Sequence, residues 1–281
     1  MAAVSHHEPT VDQVRLYWEK SPLLSHEVGI VIPEEHWRQL DEKKRGDIER
    51  FAESYWKFPE SRGQRLLDIG CGPGWLTVRY SEAGAEVWAV DLTARAVSIT
   101  KSVLASKNLS AHVEVANAEK LPFHDSTFDI VVSSGVLHHT PDVDQALAEA
   151  FRVTKPGGVG LITLYRKGIL HTPMVFPIVR LAMRLSRARH PGADLARDSV
   201  SIDDFIRMYD GADNPVGVGF KKSEWRTKLV RVGWIVESFE SHYFPLRMVP
   251  LLRRSPRWLH LSLDRMFGTM VYFTLRRSSD R

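Results

Sequence analysis

Asp68 is followed at two-residue steps by Gly70, Gly72 and Gly74, within Leu66-Leu67-Asp68-Ile69-Gly70-Cys71-Gly72-Pro73-Gly74-Trp75. Glycines at that spacing let a backbone turn tightly and approach a ligand, and a helix that starts after them offers unpaired N–H groups and a positive dipole end. The dinucleotide fingerprint would need glycine or alanine at 75, where the chain has Trp75, and no Gly-Lys-Ser/Thr follows as in a Walker loop. A carboxylate beneath the loop, Asp68, suits a ligand carrying positive charge better than a pyrophosphate. Three other positions hold polar groups beside apolar runs: Asp91 in Val90-Asp91-Leu92, the triplet Asn117-Ala118-Glu119, and the run from Ser134 to His138-His139. Imidazole is the side chain suited to moving protons near neutral pH. Taken alone, Asp91 or Glu119 would more often be a helix cap or a surface acid. Cys71, inside the loop, reads as a small packing residue rather than a nucleophile.

These residues sit in an alternating pattern of strands and helices. Short apolar or β-branched runs at Arg65–Ile69, Glu86–Val90, His112–Val115, Phe128–Ser133 and Val159–Tyr165 are nearly continuous, as in parallel strands covered on both faces. Helices are expected from about Gly74, after the N-cap Thr93 over Ala94–Lys107, and from Asp142 to Val153, the last closed by Lys155-Pro156-Gly157-Gly158. Such a doubly wound α/β sheet takes its ligand beyond the carboxyl ends of the strands, near the first one. A helix from Ser223 to Val232 and strands Trp234–Ser241 and Thr269–Arg276 bring the predicted sheet to seven strands.

With these motifs in this order, residues 65–165 resemble the class I S-adenosylmethionine-dependent methyltransferases, specifically the small-molecule group that includes the ubiquinone/menaquinone biosynthesis enzymes. The resemblance implies a Rossmann-like core that binds S-adenosyl-L-methionine, with Asp68, Gly70, Cys71, Gly72 and Gly74 at its methionine end. It also implies that Asp91 grips the two ribose hydroxyls, for which a carboxylate has two acceptors. Leu92 would lie against the adenine, and Asn117, Ala118 and Glu119 would form the adenine segment, with Asn117 where the family usually has aspartate. Ser134 would close the fourth strand facing cofactor and substrate, and Tyr17 would join the cofactor residues from the N-terminal helix. Methyl transfer is an in-line displacement, so alignment and exclusion of water matter most and no metal is required. For a hydroxyl or phenol nucleophile, His138 or His139 is the natural base; for an activated carbon the same histidine would only orient the substrate. Either ring could instead pack, or cap the helix that follows.

Outside the core, residues 1–60 read as an N-terminal helical lid that includes Val11–Lys20 with Val14, Tyr17 and Trp18 on one side. Residues 61–165 are the cofactor core, 166–220 an inserted helical cap for substrate, and 221–281 the segment that completes the core. In the cap, Ile178, Leu181, Ala182 and Leu185 recur at helical spacing, opposite Arg180, Arg184 and Arg187. Tyr209 suits a pocket aromatic or a core residue equally.

The 281 residues carry 43% hydrophobic and 26% charged side chains, which excludes wholesale disorder and fibrous architecture. One cysteine excludes an intrachain disulfide and a cysteine-based zinc site. Net charge is +4 overall, yet residues 1–165 hold 17 basic against 23 acidic side chains and residues 166–281 hold 21 against 11. No run of five or six basic residues marks a nucleic-acid binder. The basic half suits an anionic or amphiphilic small-molecule acceptor, and Arg247–Leu259 mixes apolar and basic residues in a way that suits peripheral membrane contact or an ordinary inter-strand connection. The longest apolar run, Gly168–Val179, is too short to span a bilayer and MAAVSHHEPT lacks a secretory pattern, so a cytoplasmic location is expected. An RNA methyltransferase, or a cofactor-binding relative without turnover, are the rival readings.

Overall fold

The computed structural model describes residues 9–21, 33–45, 51–185, 200–243 and 256–279. Much of Arg247–Leu259 therefore lies outside the described residues. Seven strands form one sheet in the order β3-β2-β1-β4-β5-β7-β6. They are β1 (Arg65–Ile69), β2 (Glu86–Asp91), β3 (His112–Val115), β4 (Phe128–Ser134), β5 (Thr154–Tyr165), β6 (Trp234–His242) and β7 (Met270–Arg277). The first five are parallel; β7 runs antiparallel between β5 and β6. The order reverses between β1 and β4, whose carboxyl ends lead into the glycine loop and into Gly135. That is the topological switch point, where a doubly wound sheet opens a crevice.

The helices are α1 (Val11–Lys20), α2 (Pro33–Lys43), α3 (Ala52–Trp56), α4 (Trp75–Glu82), α5 (Ala94–Ser106), α6 (Val143–Val153), α7 (Phe176–Leu185), α8 (Ile202–Arg207), α9 (Lys222–Val232) and α10 (Arg257–Phe267). Strand alternation sends Leu66, Val87, Ala89 and Val132 to one face, where Trp37, Leu40, Leu76, Val103 and Leu104 of α2, α4 and α5 cover them. Leu67, Ile69, Val90 and Val131 point to the other face, under Ala146, Leu147, Trp225 and Leu229 of α6 and α9. With both faces covered, the strands need no polar side, which is why they read as continuous apolar runs.

Local chemistry sets the helix starts that frame the crevice. Thr10 and Gln13 form a reciprocal capping box at α1, the Thr93 side chain accepts from the Ala96 N–H at α5, and Asp142 accepts from the Gln145 N–H at α6. Gly74, at φ +87°, is the N-cap of α4, and a Cβ there would meet Thr100 Oγ1 at 2.8 Å. Trp75, the residue that departs from the dinucleotide pattern, is buried and donates from Nε1 to Asp41 of α2 at 2.9 Å, so it ties the N-terminal segment to the core.

Two local expectations are revised. Residues 154–158 join β5, with Thr154 opposite Phe128, instead of forming a separate turn; a bulge between Phe128 and Ile130 and the positive φ of Gly157 take up the extra residues. The cap helix α7 buries Phe176 and half-buries Val179 against Phe205 and Ile202 of α8, while Ile178 and Leu181 face outward.

Candidate active site

The glycine loop is held from two sides. The Gly72 N–H donates to Asp91 Oδ2 at 3.0 Å, and Thr100 of α5 donates from Oγ1 to the Gly72 carbonyl at 2.9 Å. Asp91 Oδ1 accepts from both the backbone N–H and the hydroxyl of Thr93, at 2.9 and 2.7 Å. Burial pushes the Asp91 carboxyl up, and these donors from Thr93 and Gly72 work against it. Asp68 is fully buried and accepts from Thr77 Oγ1 at 2.7 Å; burial pushes its carboxyl up to about 7. A neighbouring cation would hold the ionised form, so the site has a standing preference for positive charge. Gly72, at φ +51°, has nothing within 4 Å of the place where a Cβ would be, whereas a Cβ at Gly70 would lie 2.3 Å from Val136 Cγ2. Gly70 is thus required by packing. The open side of the loop is at Gly72.

Cys71 buries its side chain in the core, and burial pushes its thiol well above the usual range, so only its backbone belongs to the loop surface. Asn117 Oδ1 accepts from the Glu119 N–H at 3.0 Å, and Glu119 Oε1 accepts from the Asp142 N–H at 2.7 Å, which fastens this segment to the start of α6. Ala118 is buried, while Leu92 and Ser134 are half-buried at the crevice.

Across the switch point, the short turn Leu137–His139 at the end of β4 carries both histidines. His138 is fully buried with neither ring nitrogen hydrogen-bonded, its ring 3.9 Å from that of Tyr165, and burial pulls its pKa well below the usual value. His139 is engaged at both nitrogens: Nδ1 lies 2.6 Å from the Val216 carbonyl oxygen and 3.3 Å from the Asn214 amide, and Nε2 lies 3.0 Å from Asp210 Oδ2. Asp210 also accepts a hydrogen bond from the Tyr165 hydroxyl, and its backbone carbonyl accepts from Tyr17 at 2.5 Å. Burial works to raise the Asp210 carboxyl, but hydrogen bonds and charge from His139 and Tyr165 hold it below the usual range. Tyr17 is therefore turned toward the cap, and burial raises its hydroxyl to about 12. Trp18 sets its ring edge-on to His139 at 5.2 Å.

Asp210, Tyr165 and Asn214 were not among the predicted site residues. Asp210 stands in an Asp-Gly pair that signals only a turn, and its partner His139 is 71 positions away, beyond any local periodicity. Helix α1 spans both halves of the crevice: Tyr17 reaches Asp210, and Glu19 accepts from the Arg95 N–H at 3.2 Å at the start of α5.

Residues 67–162 match the methyltransferase domain family. This segment of the chain is a methyltransferase domain. Over 110 residues, this domain is 34% identical to a malonyl-[acyl-carrier protein] O-methyltransferase of Erwinia billingiae, covering 39% of this chain and 42% of the relative. Over 113 residues it is 37% identical to a ubiquinone/menaquinone biosynthesis C-methyltransferase of Vibrio campbellii, covering 38% and 44%. The chain thus spans less than half the length of the curated relatives it matches. A crystal structure of an S-adenosylmethionine-dependent methyltransferase from Mesorhizobium loti shares the fold at a TM-score of 0.54 and 23% identity, over 80% of this chain and 96% of that one. The matched domain starts at β1, holds the loop, Asp91 and both histidines, and ends inside β5, so α1, Asp210 and the cap lie outside it.

Proposed function

We propose that the chain is an enzyme that moves a methyl group from S-adenosyl-L-methionine to an oxygen, carbon or nitrogen of a small organic or amphiphilic acceptor. The observation that carries this reading is the loop itself: Gly72 opens onto free space while its N–H is fixed to Asp91, and a buried carboxyl with a raised pKa lies beneath. That combination fits a cationic ligand with a ribose. The cofactor would be held by the backbone of residues 70–74, by Asp91 and Leu92, and by the Asn117–Glu119 segment. When bound, it supplies an electrophilic methyl on a sulfonium whose transfer leaves a neutral thioether, so an oxygen or nitrogen nucleophile must shed a proton.

The chain's own residues then align the acceptor and exclude water. Asp210 holds His139 and Tyr165 in place and ties the cap to the end of β4. With an acceptor oxygen at each ring nitrogen, His139 serves as an anchor. His138, kept neutral by burial and with both nitrogens unpaired, is the ring left to receive a hydrogen bond from the acceptor's nucleophile, and it can do so only when movement of α1 or the cap gives the acceptor access to it. α1 closes the crevice from above. The relatives named for a quinone pathway and for a malonyl carrier favour phenols, quinones and acidic amphiphiles as acceptors.

Calorimetric titration with S-adenosylmethionine and S-adenosylhomocysteine, followed by an acceptor screen over those classes, tests the proposal. Binding that Asp91→Ala abolishes, with turnover of one class, is the expected result. Cofactor binding without turnover across the screen would favour a binding module. No binding by folded protein would remove the reading altogether.

A further inference from the structure

Lys44, one residue past the end of α2, brings a cation to the glycine loop. Its side chain is 8% exposed, and its ammonium lies 5.4 Å from the centre of the Trp75 ring, a distance at which a cation is drawn to an aromatic face. Trp75 follows Gly74 directly, at the exit of the loop, and its indole donates to Asp41, three positions before Lys44. One turn of the N-terminal segment therefore carries both contacts. At the entrance of the loop, the charge of Lys44 also acts on Asp68. The ammonium is thus placed by the two residues that bracket the loop, and at so buried a position it attracts an anion far more strongly than at a surface.

The charges of Lys44 and Asp68 do not cancel. Burial, and after it the charge of Asp91, keep the Asp68 carboxyl at about 7 although Thr77 and Lys44 work against them. A ligand that presents an ammonium and a carboxylate on one carbon satisfies both groups at once, with its cation toward Asp68 and its anion toward Lys44. The cofactor of the function proposed above ends in such a zwitterion. Resting on that reading, we propose that Lys44 holds the carboxylate of the cofactor's amino-acid end. Its flexible four-carbon stem lets the ammonium turn from the Trp75 ring onto a carboxylate seated at the loop. Lys44 lies outside residues 67–162, so this grip belongs to the chain's own N-terminal segment and not to the matched domain.

Calorimetric titration of the full chain with two ligands tests it: S-adenosylhomocysteine, and S-adenosyl-3-thiopropylamine, the same thioether with its ammonium but without the carboxylate. Wild type should bind the second ligand roughly 10- to 100-fold more weakly, the range for a lost charge-assisted hydrogen bond. Lys44→Met keeps a long apolar stem beside Trp75 and removes the charge. It should weaken S-adenosylhomocysteine by that same factor and leave the thiopropylamine within about twofold, while Lys44→Arg retains most of the affinity for both. A merely structural lysine would not distinguish the two ligands. Equal loss of both in Lys44→Met would therefore overturn the proposal, as would unchanged or tighter binding of S-adenosylhomocysteine. The comparison of the two ligands on wild type is a test even if the variant fails to fold, since equal affinities would leave the carboxylate without a partner. Wild type that binds neither ligand would remove the cofactor reading and this proposal with it, whereas binding of both that Lys44→Met does not alter would remove this proposal alone.

Discussion

Gly72→Ala separates backbone strain from loss of the ligand's space. At φ +51° an alanine carries the left-handed penalty of about 1–2 kcal/mol, and nothing within 4 Å adds a clash. The protein should fold and lose a few degrees in Tm. The new methyl would stand in the open side of the loop, and forcing an extra carbon into a filled site costs roughly 1–3 kcal/mol. Affinity for S-adenosylmethionine should then fall roughly five- to 150-fold. Gly63→Ala is the control. Gly63 has φ +71° and no neighbour within 4 Å, but it lies before β1, at the end of the sheet opposite the loop. It should reproduce the Tm loss with unchanged affinity in calorimetric titration. If Gly72→Ala loses no more affinity than Gly63→Ala, the cofactor does not lie against Gly72 and the reasoning fails. Gly70→Ala does not serve the purpose, because its Cβ would strike Val136 and disturb the β4 end directly.

Asp68, whose carboxyl burial raises to about 7, binds its proton more tightly folded than unfolded, so its contribution to stability declines as pH rises from about 4 to about 7. Asp68→Asn should flatten the slope of Tm between about pH 5 and pH 7; an unchanged slope would show that another group sets it. Asp210 has the opposite sign: its depressed pKa adds stability above about pH 4 that is lost as pH falls through the folded value. Asp210→Asn should cost about 2–3 kcal/mol at pH 7 and lower kcat, by denaturant melts and rate assays, with exposed Asp213→Asn near wild type in both. For His138, replacement by Phe keeps the ring packing on Tyr165 and removes both nitrogens. It should leave cofactor affinity intact and reduce turnover of hydroxyl acceptors by about 100-fold, and undiminished turnover would exclude the role given to it.

Most of the sheet was legible because parallel strands covered on both faces leave a plain signature. The expected strands match six of seven to within one residue at either end, and α1 coincides with Val11–Lys20. β5 was read short because Pro156, Gly157 and Gly158 look like a turn, whereas the bulge lets them run on beside β4. On α7 the apolar spacing was visible, but Phe176 and Val179 compete with Ile178 and Leu181 for the inner face, and only the position of α8 decides between them. Asp68 and Gly72 were legible as a motif because the loop is local, whereas Asp91 stands 19 positions past Gly72 at the end of β2 and was legible only through the order of the motifs. The Asp210 cluster was not, since His139, Tyr165 and Tyr17 converge on it from three separate segments and no one segment carries the pattern.

α1 is ten residues long and buries one side chain, Val14, yet it touches the cap through Tyr17 and the start of α5 through Glu19. An element held so lightly opens at far lower free energy than the sheet beneath it. Because one helix makes both contacts, its release would free the cap side and the α5 side of the crevice together. Under the function proposed above, departure of the spent cofactor and entry of the next acceptor would then depend on the same opening.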